Sequence, residues 1–261
     1  MDLSKYTLPL TKLPASALEV LNQELIQQEF LDYRHSNEIV NSDTRDGIYK
    51  DKEGSYFIKC TSNMLSVEPA MIDWWFAWFL PESDRYKLWH PSDHVSAKIL
   101  QDRSELKTDK ERYIGISSYV DEYIGNRYSK LCITFLDPKD FGFDLVQKKS
   151  FTAICAEVID MEKAIKIANI LHYVESTEDG SVMKSHFWLG SNLQHQNKLV
   201  NLLVRSFSKI KKLKGLFIND VLAINLLKHC FEEMNHLSLF LPELYKDMTR
   251  SSNPLNKEGE I

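Results

Sequence analysis

The sequence predicts an α+β chain in which a run of antiparallel strands lies against one long C-terminal helix. Two observations carry that prediction. From Val95 to Gly190, short runs rich in Val, Ile, Tyr and Phe alternate with turn signals. From Gly215 to Leu241 the period changes, and Leu222, Leu226, Leu237 and Phe240 fall on one stripe of a helix with about 3.6 residues per turn. Consecutive strands followed by such a helix pack as two layers, and a curved sheet wrapped around a helix encloses a cavity.

Composition narrows the function classes. A chain of 261 residues, 43% of them hydrophobic, is long enough for a sizeable core in one or two domains. The net charge is −5, and Lys and Arg are scattered apart from KIKKLK at Lys209 to Lys214, which speaks against nucleic acid as a partner. Cys60, Cys132, Cys155 and Cys230 lie far apart in apolar runs without a CxxC spacing, as reduced core thiols do. No basic leader precedes an apolar stretch at the N-terminus, and no segment reaches the roughly 20 apolar residues of a membrane span. The expectation is a soluble cytoplasmic protein without a membrane partner.

The elements follow in order. Residues 1–54 form an N-terminal region, with a helix expected from Ala15 to Phe30 and an extended, turn-rich connection from Tyr33 to a boundary near Gly54. YFIKCTSNML reads as a strand. Pro69 opens a short helix bearing Trp74, Trp75, Phe76, Trp78 and Phe79, a cluster read as core, with the wall of an apolar pocket as the alternative. VSAKIL, YIGISSYVDEYIG, KLCITFLD, FTAICAEVI, the stretch from Ile167 to Glu175, and VMKSHFWLG are the strands, and Asp179-Gly180 is a hairpin turn. An amphipathic segment from Gln196 to Lys212 leads into the long helix. The main domain is expected over 55–248, followed by a polar, disordered tail over 249–261. The apolar N-terminal helix suggests a homodimer.

The candidate chemistry sits on three of these elements. His229 and Glu233 are one helical turn apart within the apolar stripe, where they form either a hydrogen-bonded pair or half of a metal site. RYKLWHPSDH, Arg85 to His94, packs two histidines and an aspartate around a proline turn. On SSYVDEYIG, Glu122 shares a face with Ser118, Val120 and Ile124, while Tyr119, Asp121 and Tyr123 occupy the other, so alternation leaves open which face is inside. Two histidines and two carboxylates make a site that holds zinc and keeps a position free for catalysis.

The strings DWWFAWF, RYKLWHPSDH, VDEYIG, SHFWLG and LLKHCFEEMNHLSLFLPELY, in this order, resemble the diacetylphloroglucinol hydrolase family, which includes phloretin hydrolase. The resemblance spans Met64 to Tyr245. It implies a helix-grip fold like that of Bet v 1 and START proteins, with a smaller N-terminal region before it. It also implies a zinc enzyme that cleaves the carbon–carbon bond between a phenolic ring and its acyl group. Carried over, the metal ligands fall on Glu122, His229 and Glu233, with a fourth in HPSDH. His94 is preferred there because a family tyrosine eight residues before the ligand then falls on Tyr86; His90 is the second choice. Tyr86 would place or protonate the substrate, His172 matches a histidine lining the family's pocket, and Phe187 stands near a substrate-contacting tyrosine.

The expected reaction is attack of a metal-bound hydroxide on the acyl carbonyl of a small phenolic ketone, with Tyr86 or a water held by His172 protonating the ring carbon. The aromatic cluster from Trp74 to Phe79 and Trp188 are expected to hold the ring, with Trp74, Trp78, Phe187 and Trp188 named as substrate-binding residues. The alternatives are a helix-grip carrier of a hydrophobic ligand that does no chemistry, and an ester hydrolase using the same metal.

Overall fold

The computed structural model describes residues 2–143, 150–207 and 211–251. In chain order the regular elements are α1 (Ala15–Leu21), β1 (Ile26–Gln27), α2 (Ser36–Val40), β2 (Gly47–Lys50), β3 (Tyr56–Leu65), α3 (Pro69–Phe79), α4 (Ser83–Trp89), β4 (His94–Ile99), α5 (Asp109–Tyr113), β5 (Ser117–Ile124), β6 (Arg127–Leu136), β7 (Phe151–Asp160), β8 (Ile165–Thr177), β9 (Gly180–His195), α6 (Lys198–Phe207), α7 (Lys211–Lys214) and α8 (Asp220–Ser251). The strands form one nine-stranded sheet in the order β1-β2-β3-β9-β8-β7-β6-β5-β4. All neighbours are antiparallel except β1 and β2.

Register shifts break the ladder at His94/Ser96, Val158/Ile159 and Lys166/Ala168. Each adds local twist and bends its strand, which helps the sheet curl around α8. The inner face supplies Ile58, Val120, Phe135, Ile154 and Phe187 to the main core, where they join Trp75 of α3 and Leu227, Met234 and Leu237 of α8. Burying each such side chain stabilises the fold by about 1.5–3 kcal/mol. This is the helix-grip arrangement. On the opposite face Phe57, Leu171, Tyr173 and Trp188 pack with Ile39, Val40 and Phe141 in a second cluster.

The N-terminal part departs from expectation. The helix begun at Ala15 stops at Leu21, because Ile26 and Gln27 pair with Tyr49 and Lys50 in the sheet, and β2 continues that sheet up to the turn at Gly54. The long helix, expected to Leu241, continues to Ser251, fastened by the edge-on contact of Tyr245 with Trp74 and by the Tyr6 hydroxyl donating to Asp247. Residues 208–210 of the expected amphipathic segment and 252–261 of the polar tail lie outside the described residues. Among the described residues no helix is long and apolar enough to cross a membrane.

Candidate functional site

The site lies where α4, β4, β5 and α8 meet. Tyr86 is in the last turn of α4, whose final carbonyls have no partner within the helix. The Tyr86 carbonyl accepts from His94 Nδ1 at 3.0 Å, and the two rings stack with centroids 3.8 Å apart. His94 begins β4 directly opposite Glu122 of β5. The alternation of β5 places Ser118, Val120, Glu122 and Ile124 inward, so Glu122 is buried, 7% exposed. The Tyr86 hydroxyl donates a short hydrogen bond to Glu122 Oε2.

α8 brings the other two groups. His94 Nε2 lies 3.0 Å from Glu233 Oε1 and 3.9 Å from Glu122 Oε2, yet it makes no hydrogen bond. His229 Nε2 is 3.5 Å from Glu233 Oε1, and its Nδ1 is 3.1 Å from Asp93 Oδ2. The ligand atoms of His94, Glu122 and His229 lie within 4.8 Å of one another.

These contacts assign the tautomers. A carbonyl and a carboxylate only accept, so the Nδ1 atoms of His94 and His229 carry the protons. In the neutral rings the Nε2 lone pairs then face the carboxylates Glu122 and Glu233. Lone pairs and carboxylate oxygens at such distances repel unless a cation stands among them, so the donor set fits a divalent metal. Without one, a proton serves. Burial alone would lower the basicity of His229, but Glu233 and Asp93 hold its pKa well above the ordinary histidine value. Burial would raise that of Glu233, but His229 and His94 hold it far below the carboxylate range. Burial, reinforced by Glu122, keeps the Tyr86 phenol protonated well beyond its usual pKa.

His90 is oriented the other way. Its Nδ1 accepts from the Asp93 backbone N–H at 3.0 Å, so in the neutral ring Nε2 carries the proton and points toward Glu232, 3.6 Å away, and Asp93, 3.7 Å away. His90 Nε2, like His94 Nε2, is buried without a hydrogen-bond partner, and His90, Asp93 and His229 form a second group whose ligand atoms lie within 4.8 Å of one another, whereas His94 is grouped with Glu122 and His229.

A cavity of about 80 Å³ opens beside this cluster, lined by Tyr86, Glu122, His229 and Glu233 at one end and by Phe76, Phe79, Phe135, Ile154 and Phe187 along its walls. His172 also lines it. Burial lowers the His172 pKa to about 4, so the ring is neutral, and its Nδ1 lies 2.8 Å from Ser185 Oγ. The Ser118 hydroxyl, buried in the wall, has no partner.

Three expected ring holders do not line the cavity. Trp74 and Trp78 stack on each other and border a separate groove with Arg85 and Arg103, because on α3 it is positions 76 and 79 that face the cavity. Trp188 follows Phe187 on β9 and therefore points to the opposite face, where its Nε1 donates to the Leu31 carbonyl. Asp93 and Ser118 received no role from the sequence. The pattern HxxDH carries a signal for Asp93, and the spacing of four between Ser118 and Glu122 carries one for Ser118.

The family model for the DAPG hydrolase PhiG domain matches residues 26–246. The chain belongs to the DAPG hydrolase family. It is 26% identical to phloretin hydrolase of Eubacterium ramulus over 202 residues, which make up 75% of this chain and 69% of that protein. It is 27% identical to 2,4-diacetylphloroglucinol hydrolase of Pseudomonas protegens over 204 residues, 74% of this chain and 62% of that protein. This DAPG hydrolase family chain thus spans less than two thirds of the second relative. Among solved structures, Ara h 8.0201 superposes with a TM-score of 0.35 at 12% identity, covering 62% of this chain and 97% of that one. A START superfamily protein from Mycobacterium smegmatis gives 0.36 at 10%, covering 63% and 97%.

Proposed function

We propose that this protein is a zinc-dependent hydrolase that cleaves the carbon–carbon bond between a phenolic ring and its acyl group. Family membership supports the reaction class, since the two relatives bear the names of hydrolases of phenolic compounds. The observation that carries the metal is the orientation of two imidazoles, each tied through Nδ1 to an acceptor, with both Nε2 atoms facing buried carboxylates. His94, Glu122, His229 and Glu233 would hold the ion. When bound, zinc supplies Lewis-acid polarisation of the acyl carbonyl and a water activated at neutral pH.

The chain's own groups do the rest. Phe76, Phe79, Phe135 and Phe187 hold the ring against the apolar wall and direct the acyl carbon toward the metal end. The open space is smaller than the roughly 150 Å³ that accommodates benzene in a protein, so the ring enters by displacing lining side chains. Water gives its hydroxyl to the acyl carbon, which leaves as a carboxylic acid, and the water's remaining proton passes by way of Glu122 to restore the Tyr86 hydroxyl once it has protonated the ring. The bond electrons pass to the ring carbon, whose oxygens delocalise the charge until a proton arrives. Tyr86 stands at the metal end of the cavity with its hydroxyl hydrogen-bonded to Glu122, which places it to pass a proton to the ring carbon, and His172, tied to Ser185, orients the ring's hydroxyls.

The deciding experiment is elemental analysis of protein purified without a polyhistidine tag, alongside the His229→Ala variant, followed by an assay on acylphloroglucinols. About one zinc per chain, lost in the variant, with release of the carboxylic acid, supports the reading. No zinc uptake by the wild type overturns it.

A further inference from the structure

We infer that Asp93 is a positioning residue that locks the metal-binding orientation of His229 and ties α8 to the two strands that carry the other ligands. The inference rests on the metal reading above and deepens it, because it concerns a residue outside the ligand set. The observation is that Asp93 uses three of its groups at once. Its carboxylate Oδ2 accepts from His229 Nδ1 at 3.1 Å. Its backbone carbonyl accepts from the Tyr123 N–H at 2.9 Å, one residue beyond Glu122 on β5. Its backbone N–H donates to His90 Nδ1 at 3.0 Å, and its peptide bond leads directly into His94. One residue therefore fixes His94 through the chain, the segment of Glu122 through the ladder, and His229 through its side chain.

The physical effect is specific to the imidazole. A metal takes a ring nitrogen only through its lone pair, so the proton of His229 must reside on the other nitrogen. A carboxylate at Nδ1 enforces that choice, fixes the ring's rotation about χ2, and makes Nε2 a stronger donor. The second histidine, His94, has the neutral carbonyl of Tyr86 in the equivalent position. The pair is thus asymmetric, with a charged acceptor on the helix ligand and an uncharged one on the strand ligand. Asp93 is half-buried against His229, with a side-chain exposure of 23%.

The test measures zinc affinity by chelator competition in wild type, Asp93→Ala and Asp93→Asn, together with the Nδ1–H proton resonance of His229 in the zinc-loaded proteins. Asparagine can still accept through its side-chain oxygen, so it preserves the tautomer without the charge. The expected result is a dissociation constant raised 10–100-fold in Asp93→Ala, a smaller rise in Asp93→Asn, and a slowly exchanging Nδ1–H signal present in wild type and Asp93→Asn but lost in Asp93→Ala. Zinc bound as tightly by both variants as by wild type, with the signal unchanged, overturns the role of Asp93 and leaves the metal site standing. A wild type that takes up no zinc overturns both. Equal losses of affinity in the two variants, with melting temperatures lowered alike, would mark a general structural defect and overturn the positioning role.

Discussion

His94 and Glu122 are cross-strand partners whose side chains leave β4 and β5 toward α8, with His94 Nε2 and Glu122 Oε2 3.9 Å apart. Because the register shift between His94 and Ser96 immediately follows this pair, His94 is the last residue held opposite Glu122 before the ladder slips. His90, four residues earlier, follows α4 and has its Nδ1 engaged by the Asp93 backbone. The two histidines should therefore separate cleanly on substitution. His94→Ala is expected to abolish stoichiometric zinc binding, whereas His90→Ala keeps most of it, as read by elemental analysis after dialysis against zinc. Equal losses would mean that the tautomers assigned to the two rings are wrong.

Tyr86→Phe separates metal from chemistry. The hydroxyl donates to Glu122 and does not belong to the ligand set, so the variant should retain zinc. Loss of the hydroxyl proposed as the proton donor should lower kcat by about 10²-fold. Removing the partner of a buried carboxylate should also cost about 1–3 kcal/mol of stability, visible in a denaturant titration. Unchanged turnover would show that the ring's proton comes from elsewhere.

The strands and the long helix were legible because their signals are local. YFIKCTSNML is β3 to the residue, and each later strand run maps onto β4 to β9. Alternation placed Glu122 with Val120 and Ile124 but could not say which face is inside, since that depends on where α8 packs. Which members of the aromatic cluster face the cavity was hidden for a related reason. Trp74, Trp78 and Trp188 are the bulkiest aromatics, but on α3 and β9 the position along the element decides the facing, and Phe76, Phe79 and Phe187 occupy the cavity side. The role of Asp93 depends on a contact 136 residues away, which no local pattern encodes.

Gly125 tests how closely the β5–β6 turn must approach the helix. It has φ of 62°, and an added Cβ would stand 2.3 Å from Asn225 Nδ2, one helical turn before His229. Gly125→Ala therefore meets two costs, the left-handed backbone and the collision. The backbone part is about 1–2 kcal/mol and persists in an Asn225→Ala background, whereas the steric part disappears there. A double-mutant cycle on unfolding free energy measures both, and zero coupling would rule out the contact.

His186 sets part of the acid limit of stability. It is fully buried, stacks on Phe57, and neither ring nitrogen has a partner. Burial, reinforced by Lys59, lowers its pKa to about 3. Above pH 6.5 the ring is neutral folded and unfolded, and nothing is gained or lost. Below 6.5 the unfolded chain takes up a proton that the folded one refuses, so stability falls with pH until about 3. At pH 5 this amounts to about 2 kcal/mol. His186→Phe should shrink the fall in melting temperature between pH 7 and pH 5, leaving the shares of His172 and His236, whose pKa values burial lowers to about 4. An identical pH profile would place the acid sensitivity elsewhere.

Ser118 should trade stability for recognition. Its hydroxyl is buried without a partner in a wall otherwise formed by Val120, Ile133, Phe135 and Ile154, and an unsatisfied hydroxyl costs about 1–3 kcal/mol. A fold has no use for such a group, but a ring bearing hydroxyls can pair with it on entering the cavity. Ser118→Ala should raise the melting temperature of the ligand-free protein and raise KM for hydroxylated acylphenols, with little change for an analogue whose corresponding hydroxyl is absent. Melting curves and steady-state kinetics on the two substrates check the pair of effects together. A higher melting temperature with KM unaltered on both substrates would leave Ser118 a packing defect, and recognition of the ring's hydroxyls would then fall to the other polar groups of the lining, His172 among them.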